Sequence, residues 1–512
     1  MAAVPRNGPH KGGGRRLFLG LDIGTGSSKA VLATSDGRIV DSATVHHAPS
    51  LPRPGWVEFD AENTWWAEVR QLCGELFARQ DPRRVAGVAV SGMGPCLVVT
   101  DANHVPLRPA ILYGVDTRAG REIDELNDEF GAGRIEADSG KALSSQSVGP
   151  KLRWIANNEP RTFAAARYWY SCSSFLVQRL TGEYVMDHPT AGQCDPLYDI
   201  HRLEWIGDRA AAVAGHLPLP RLLWPADIAG QVTPGAAALT GIPAGTPVCA
   251  GTVDAWVEAH SVGVRRPGDT MLMYGSTMFF VQRLKAFRSH PRLWPVPGVE
   301  PRSMTLSGGM ATSGSLLTWL QQITGGAPMA DLLEEAARVP AGAEGLLVLP
   351  YFAGERTPIL DPDARGMIMG LTLRHGRGHL LRAALEGVCL GLRQTLDLVE
   401  EAGEPVSRLL AVGGGLQARL WSQIASDVTG RVQVVPRVTI GASYGDALLA
   451  AVGSGAVAPD TDWMQVSGHV EPRPEASGVY QEIYGTYCGL YPSNREHMHA
   501  LARLQERTAG SG

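Results

Sequence analysis

Residues 17–33 read Leu17-Phe18-Leu19-Gly20-Leu21-Asp22-Ile23-Gly24-Thr25-Gly26-Ser27-Ser28-Lys29-Ala30-Val31-Leu32-Ala33. An apolar run ends in an aspartate, turns through glycines and hydroxyls, and resumes after a lysine. Short apolar runs broken by Gly and Ser predict two strands joined by a tight turn. Ser35-Asp36-Gly37-Arg38 is a second hairpin signal, and Ile39-Val40 opens a third strand. The chain thus begins as a β-meander that carries a carboxylate at its first turn. The same device recurs near the middle: Thr270-Met271-Leu272-Met273-Tyr274, then Gly275-Ser276-Thr277, then Met278-Phe279-Phe280-Val281. A weak internal repeat at this separation predicts two domains of similar construction that face one another.

Between and beyond the hairpins, helical periodicity alternates with short strands. Asp60 is positioned to cap a helix that buries Trp65, Val69, Leu72 and Leu76. From His379 to Glu401, Leu381, Leu385, Val388, Leu392, Leu396 and Val399 recur at steps of three and four, and Gly403 and Pro405 stop the pattern. A strand Leu409–Val412 then runs into Gly413-Gly414-Gly415, followed by a helix over 420–428. Mixed α/β structure with ligand-type loops at strand ends is the result. The expected organisation is a floppy tail over 1–16, an N-terminal domain over 17–264, a C-terminal domain over 265–458, and a helical appendage over 459–512.

Composition narrows the function. The chain has 512 residues, of which 44% are hydrophobic and 19% charged, so it can bury sizeable cores. Lys+Arg 46 against Asp+Glu 51 gives a net charge of -5, which argues against coating nucleic acid or holding a membrane by basic residues. No run reaches the ~18 apolar residues of a membrane span. The seven cysteines form no C-x-x-C pair, so a disulfide framework and a cysteine-rich zinc site are both poor readings. No apolar segment of the signal-peptide kind follows the start, and a reducing, cytoplasmic location is the default expectation.

Five segments carry candidate chemistry. In Gly24-Thr25-Gly26-Ser27-Ser28, glycines let backbone N–H groups approach a polyphosphate and hydroxyls add donors, while Asp22 beside them suits Mg²⁺. It is not a P-loop, and an ordinary tight hairpin is the plain alternative. Gly275-Ser276-Thr277 in the repeated hairpin makes a second clamp on the same phosphate chain conceivable. Asp254, within Gly251-Thr252-Val253-Asp254-Ala255 at a strand end, suits a general base or a helix cap. Gly413-Gly414-Gly415-Leu416-Gln417 is a strand-to-helix turn able to lie flat against a nucleotide. Tyr113-Gly114-Val115-Asp116-Thr117-Arg118 could bind a polyol or cap a helix.

With these residues in view, the chain resembles the FGGY family of carbohydrate kinases from about Leu17 to about Ala458. Gly366-x-Ile368-x-Gly370-Leu371, seven residues, and His379-Leu380-x-x-Ala383-Ala384-Leu385-Glu386 match the family's C-terminal signature at every defined position. Lys151-Leu152-x-Trp154-Ile155-x-Asn157-Asn158 is similar to part of the N-terminal one. The resemblance implies an actin-like, hexokinase-like α/β fold of two related domains with ATP and sugar in the cleft between them. It implies ATP contacts from Gly24, Thr25, Gly26, Ser27, Ser28, Lys29, Gly275, Ser276, Thr277, Gly413, Gly414, Gly415 and Gln417, and Mg²⁺ near Asp22. Asp254 is similar to the family's catalytic base, and Met93, Asp116, Arg118 and Asp254 fall where members contact the sugar. The xylulose kinase branch is the most similar. The chain departs from it in Ser91-Gly92-Met93-Gly94-Pro95, where Gly-Gln-Met-His is usual, in Tyr113, where Trp is usual, and in Ala418. The implied activity is phosphorylation of a terminal hydroxyl on a small ketose, with another polyol kinase or a silent actin-like sugar-binding protein as alternatives. A homodimer is a family-level expectation.

Overall fold

The computed structural model describes residues 15–438 and 440–509. Of the expected tail over 1–16, all but Arg15 and Arg16 lie outside them.

Strands β1 (Leu17–Ile23), β2 (Ser27–Thr34) and β3 (Ile39–His46) form the opening meander, with Leu17 opposite Thr34 and Ile23 opposite Ser28. Helix α1 (Ala67–Phe77) follows a turn of helix capped by Asp60, whose carboxylate accepts from the Glu62 and Asn63 amides. Strand β4 (Val85–Gly92) joins β1 in parallel and sets Ser91 opposite Asp22. Strands 247–249, 228–231 and 252–253 complete a seven-stranded mixed sheet. Successive β1 side chains point to opposite faces. Leu17, Leu19, Leu21 and Ile23 pack with α1 and with α2 (Cys172–Thr181), while Phe18 lies in a different core on the other face.

Helix α3 (Asp254–Ser261) leads to the second sheet. There β5 (Asp269–Tyr274) and β6 (Met278–Leu284) make the second hairpin, with Tyr274 opposite Met278. Strand β7 (Met304–Met310) extends the sheet beyond β6. The long helix α4 (Arg377–Ala402) buries Leu381, Leu385, Val388, Leu392, Leu396 and Val399, the stripe read from the sequence. Strand β8 (Arg408–Val412), helix α5 (Arg419–Thr429) and strand β9 (Gln433–Pro436) follow, then helix α6 (Ala442–Gly453).

Past Pro459 the structure corrects the expected appendage. Strand β10 (Val466–Val470) pairs with β9 as the edge of the second sheet. Helix α7 (Pro474–Ala509) then buries Tyr480, Tyr487, Leu490 and Met498 in the same core as α4. Tyr480 Oη donates to Glu386 Oε1 at 2.8 Å, and Arg382 Nε reaches the same oxygen at 2.6 Å. Tyrosine suits this role because its ring fills a core while its hydroxyl satisfies a buried charge.

The two sheets meet through α3 and α6. Phe18, Val31 and Ala89 from the first sheet share one core with Met271, Val281, Leu410 and Val412 from the second, and Val257 and Leu448 of the two helices lie within it. Helix α6 therefore belongs to the second half in sequence but rests on β1 and β4 of the first. A side chain at Gly20 would place its Cβ 1.9 Å from the Ser443 carbonyl oxygen and 2.5 Å from the Ala447 nitrogen. Glycine at that point is what allows backbone to rest on backbone.

Gly20→Ala is expected to force α6 off the sheet and to destabilise the protein by at least ~2–3 kcal/mol, the scale of severe overpacking. Gly74→Ala is the control: it lies mid-helix in α1 with nothing within 4 Å of the added methyl, and should be neutral or stabilising by up to about 1 kcal/mol. Calorimetric melting of both variants checks the pair, and equal melting temperatures would refute the close contact.

Candidate active site

The sandwich fixes where chain ends and helix ends converge. β1 ends beside Asp22, β5 ends at Tyr274, and α3 and α6 begin at Asp254 and Ala442. These points surround a cavity of about 550 Å³ whose wall includes Asp22, Lys29, Asp254, Glu258, Gly275, Thr277 and Ala442. Helix N-termini present unpaired N–H groups and the positive end of the helix dipole, so the cavity suits an anion.

Carboxylates crowd its centre. Asp254 is the first residue of α3, and its Oδ1 accepts from the Ala255 amide at 2.7 Å. Glu258 lies one helical turn further on the same face. Burial, then the Asp22 charge, hold Asp254 well above the ordinary carboxylate range. Burial and Asp22 raise Glu258 to about 7, against the pull of Lys29. Burial raises Asp22 to about 6, with Lys29, the Ser91 hydroxyl and His47 opposing it. Lys29 stands opposite Asp22 across the β1–β2 pair and its Nζ donates to the Ile440 carbonyl at 3.3 Å, just before α6. Such a group of buried like charges is relieved by a cation.

The fit to Mg²⁺ follows from that donor set. Among the described residues, no group of three or more His, Cys, Asp or Glu is arranged to hold a metal alone. Mg²⁺ keeps several waters and takes one or two carboxylates plus substrate phosphates. Asp22 on a cavity wall that also carries Lys29, Gly275 and Thr277 matches that habit.

Of the residues expected to contact ATP, Lys29, Gly275, Thr277, Gly413, Gly414 and Gln417 line the cavity. Gly24, Thr25, Gly26, Ser27, Ser28, Ser276 and Gly415 are not on its wall. The first turn is braced from behind: His47 bridges the Gly24 carbonyl (2.8 Å) and Glu68 (2.8 Å), and Thr25 Oγ1 lies 2.9 Å from Tyr113 Oη. The second turn is held by the amides of Ser313 and Gly314, which donate to the Ser276 and Gly275 carbonyls at 3.0 Å each. Gly415 is packed, since a Cβ there would lie 2.7 Å from Trp421 and 2.8 Å from Tyr274.

The rest of the lining is largely polar and aromatic. Gly94, Tyr113, Lys141, Ser144, Gln146, Gln193, Asp195, Trp294 and Arg356 belong to it. Lys141 Nζ is committed to Asp195 (3.1 Å) and to the Gly192 carbonyl (2.7 Å). Sequence reading singled out only Tyr113 and the loop holding Gly94. The rest come from four separate stretches with no motif, and Glu258 was detectable only as the position four after Asp254.

Three expected sugar contacts lie elsewhere. Met93 is buried and only its neighbour Gly94 reaches the wall. Asp116 and Arg118 sit behind it in an ion-pair cluster: Arg118 reaches Asp116 Oδ2 and Glu58 Oε1 at 2.7 Å each, 4.0 Å above the Trp56 ring. The Arg118 side chain is 0% exposed, so its donors are already used. Asp116 Oδ2 also accepts from the Val57 amide at 2.7 Å. The spacing suggested ligand groups because a polar segment after a strand looks alike whether it faces a cleft or a neighbouring segment.

Known proteins share this arrangement. Family models for the N-terminal and C-terminal domains of FGGY carbohydrate kinases match residues 17–259 and 272–454. The chain is 30% identical over 417 residues to a xylulose kinase of Klebsiella pneumoniae, covering 81% of this chain and 85% of that one. It is 26% identical over 460 residues to a gluconokinase of Bacillus subtilis (strain 168), covering 86% and 88%. The crystal structure of a xylulose kinase from Rhodospirillum rubrum superposes with a TM-score of 0.86 at 34% identity, over 94% of this chain and all of that one. Two sheets joined by a pair of shared helices, with both family domains matched in order along them, establish this chain as a member of the FGGY family of carbohydrate kinases, which are phosphotransferases.

Proposed function

We propose that the protein transfers the terminal phosphoryl group of ATP to a terminal hydroxyl of a small ketose, a pentulose such as xylulose. The observation that carries this reading is that Asp254 shares one cavity wall with Lys29, Gly275 and Thr277 and with Tyr113, Gln146, Trp294 and Arg356. Xylulose kinases among the similar proteins support the pentulose. A second acceptor class, a sugar acid, is favoured by Arg356, a cation of the acceptor wall whose guanidinium hydrogen-bonds only to the Met310 carbonyl, at 3.3 Å, among the described residues.

Phosphoryl transfer demands alignment and charge neutralisation more than covalent chemistry. Lys29, the Gly275–Thr277 turn and the N-terminus of α6 hold the phosphates. Mg²⁺ held by Asp22, directly or through water, supplies neutralisation of the charge that develops on the phosphoryl oxygens. Asp254 accepts the hydroxyl proton as the new P–O bond forms. Its raised affinity for a proton, caused by burial and Asp22, makes it a stronger base than an exposed carboxylate. Gln146, Ser144 and Tyr113 offer donors and acceptors to sugar hydroxyls, and Trp294 offers an apolar ring face. Closure of the two halves around the cavity excludes water and limits ATP hydrolysis.

Measuring ADP release over a panel of pentuloses, other ketoses, glycerol, tetritols and sugar acids tests the reading. A pentulose is expected to give the highest kcat/KM, and a preference for gluconate would transfer the proposal to sugar acids. Asp254→Ala should lower kcat by about 10²–10⁴-fold with ATP affinity changed by only a few-fold. A folded variant with near-normal turnover would remove Asp254 from the base role.

The carboxylates must be ionised to bind a cation and to take up a proton. Because burial holds Asp22 at about 6 and Asp254 well above the ordinary carboxylate range, the acid limb of kcat/KM should lie near or above pH 6 and not near the ordinary value of about 4. An acid limb near pH 4 would contradict this. For Arg118→Ala the expectation is a lower melting temperature, since removing one member of a buried ion pair costs about 3–5 kcal/mol, with the acceptor KM within about twofold of wild type. A large rise in that KM without loss of stability would return Arg118 to the sugar.

A further inference from the structure

Ser91 ends β4 in register with Asp22, and its hydroxyl oxygen has two carboxylate neighbours. It lies 3.2 Å from Asp22 Oδ1 and 2.6 Å from Oδ2 of Asp446, which α6 brings over from the second half of the chain. Ser91 and Asp446 are both 0% exposed. A serine hydroxyl has one proton to donate. With both carboxylates ionised, one of the two contacts would set lone pair against lone pair inside the protein. The other oxygen of Asp446, Oδ1, is buried with no hydrogen-bond partner. An orphaned charged oxygen costs far more than an orphaned carbonyl oxygen. One additional proton resolves both problems.

The surroundings say which carboxyl holds it. Asp22 lines the cavity and has Lys29 across the strand pair. The charged groups acting on Asp446 are Asp22 on β1 and Asp254 on α3, both negative, and the nearby titratable group on strand 247–249 is the Cys249 thiol. Lys29 points to the Ile440 carbonyl ahead of α6 and acts on Asp22 and Glu258. Burial pushes Asp446 well above the ordinary carboxylate range, the Asp22 and Asp254 charges add to it, and the Ser91 hydroxyl and backbone amide offset only part of it.

We propose that Asp446 is a protonated positioning acid: its carboxyl O–H donates to Ser91 Oγ, and Ser91 in turn donates to Asp22 Oδ1. A hydrogen-bonded chain that begins in the second half of the molecule then pins the carboxylate that faces the cation. The positioning consequence rests on the cation role proposed for Asp22, whereas the protonation of Asp446 does not.

Infrared difference spectroscopy on the ligand-free protein tests the proton directly. At about pH 7, wild type labelled with ¹³C-aspartate is expected to show a protonated-carboxyl C=O band that Asp446→Asn lacks. Identical spectra would overturn the proposal. If Asp446→Asn does not fold, Ser91→Ala serves: loss of its acceptor should shift the band, and an unshifted spectrum overturns the proposal equally. The positioning consequence is read as metal activation. Ser91→Ala should raise the Mg²⁺ concentration for half-maximal activity roughly 10-fold, the low end for partners that orient a metal ligand, with the acceptor KM unchanged. Asp446→Asn, a neutral donor of the same shape, should need several-fold less Mg²⁺ than Asp446→Leu. An unchanged Mg²⁺ requirement alongside a confirmed band would leave the proton on Asp446 and remove Asp22 as the metal ligand.

Discussion

Backbone touches backbone where α6 crosses β1 at Gly20, and the geometry of the cleft follows from that contact. Helix and sheet normally stay about 10 Å apart because side chains intervene. Here the first sheet presents a glycine beneath the helix, and α6 sinks onto it. Gly445 repeats the device on the other side, where a Cβ would lie 2.4 Å from the Val257 carbonyl oxygen of α3. Two helices so placed fill the space between two sheets and aim their first turns at one cavity. Move α6 outward by the thickness of a methyl group and Asp446 leaves Ser91, Ala442 leaves the cavity wall, and Lys29 loses the Ile440 carbonyl.

That packing also concentrates charge. Asp22, Asp254 and Glu258 come from two elements and are all buried, and the Asp22 charge adds to burial in raising the hold of Asp254 and Glu258 on a proton. Lys29 offsets part of this at Asp22 and Glu258. The acceptor end has the opposite character. Lys141 and Asp195 neutralise each other, aromatic rings of Tyr113 and Trp294 lie on the wall, and Gln146 and Tyr113 are each held by a hydrogen bond, from the Gly114 amide and with Thr25.

Much of this was legible from local sequence. The two hairpins, the helix capped by Asp60 and the α4 stripe are each determined by residues within a few positions of one another. Short-range turn chemistry and side-chain periodicity act before any tertiary contact forms. Asp22, Lys29, Asp254, Gly275 and Gly413 stood out because they lie in or beside those turns. After Pro459 the helix was expected, but its strand was not, because that strand is mostly exposed, and the tyrosines of α7 reveal their burial only against α4. Asp116 and Arg118 were misplaced because a polar cluster after a strand carries no mark of which way it faces.

The sequence by itself determined the strands, the turns, the helix limits and the identity of the groups able to hold phosphate. Those properties depend on backbone preference and on spacing, which are local. Only the tertiary structure decided which carboxylates share one cavity, which cation is already neutralised, and which buried oxygen lacks a partner. Glu258 enters the site because α3 turns that face inward, and Asp446 enters its neighbourhood because α6 returns across more than three hundred residues to lie on β4. Burial and proximity set those electrostatics, and neither exists until the two sheets have closed on the helices between them.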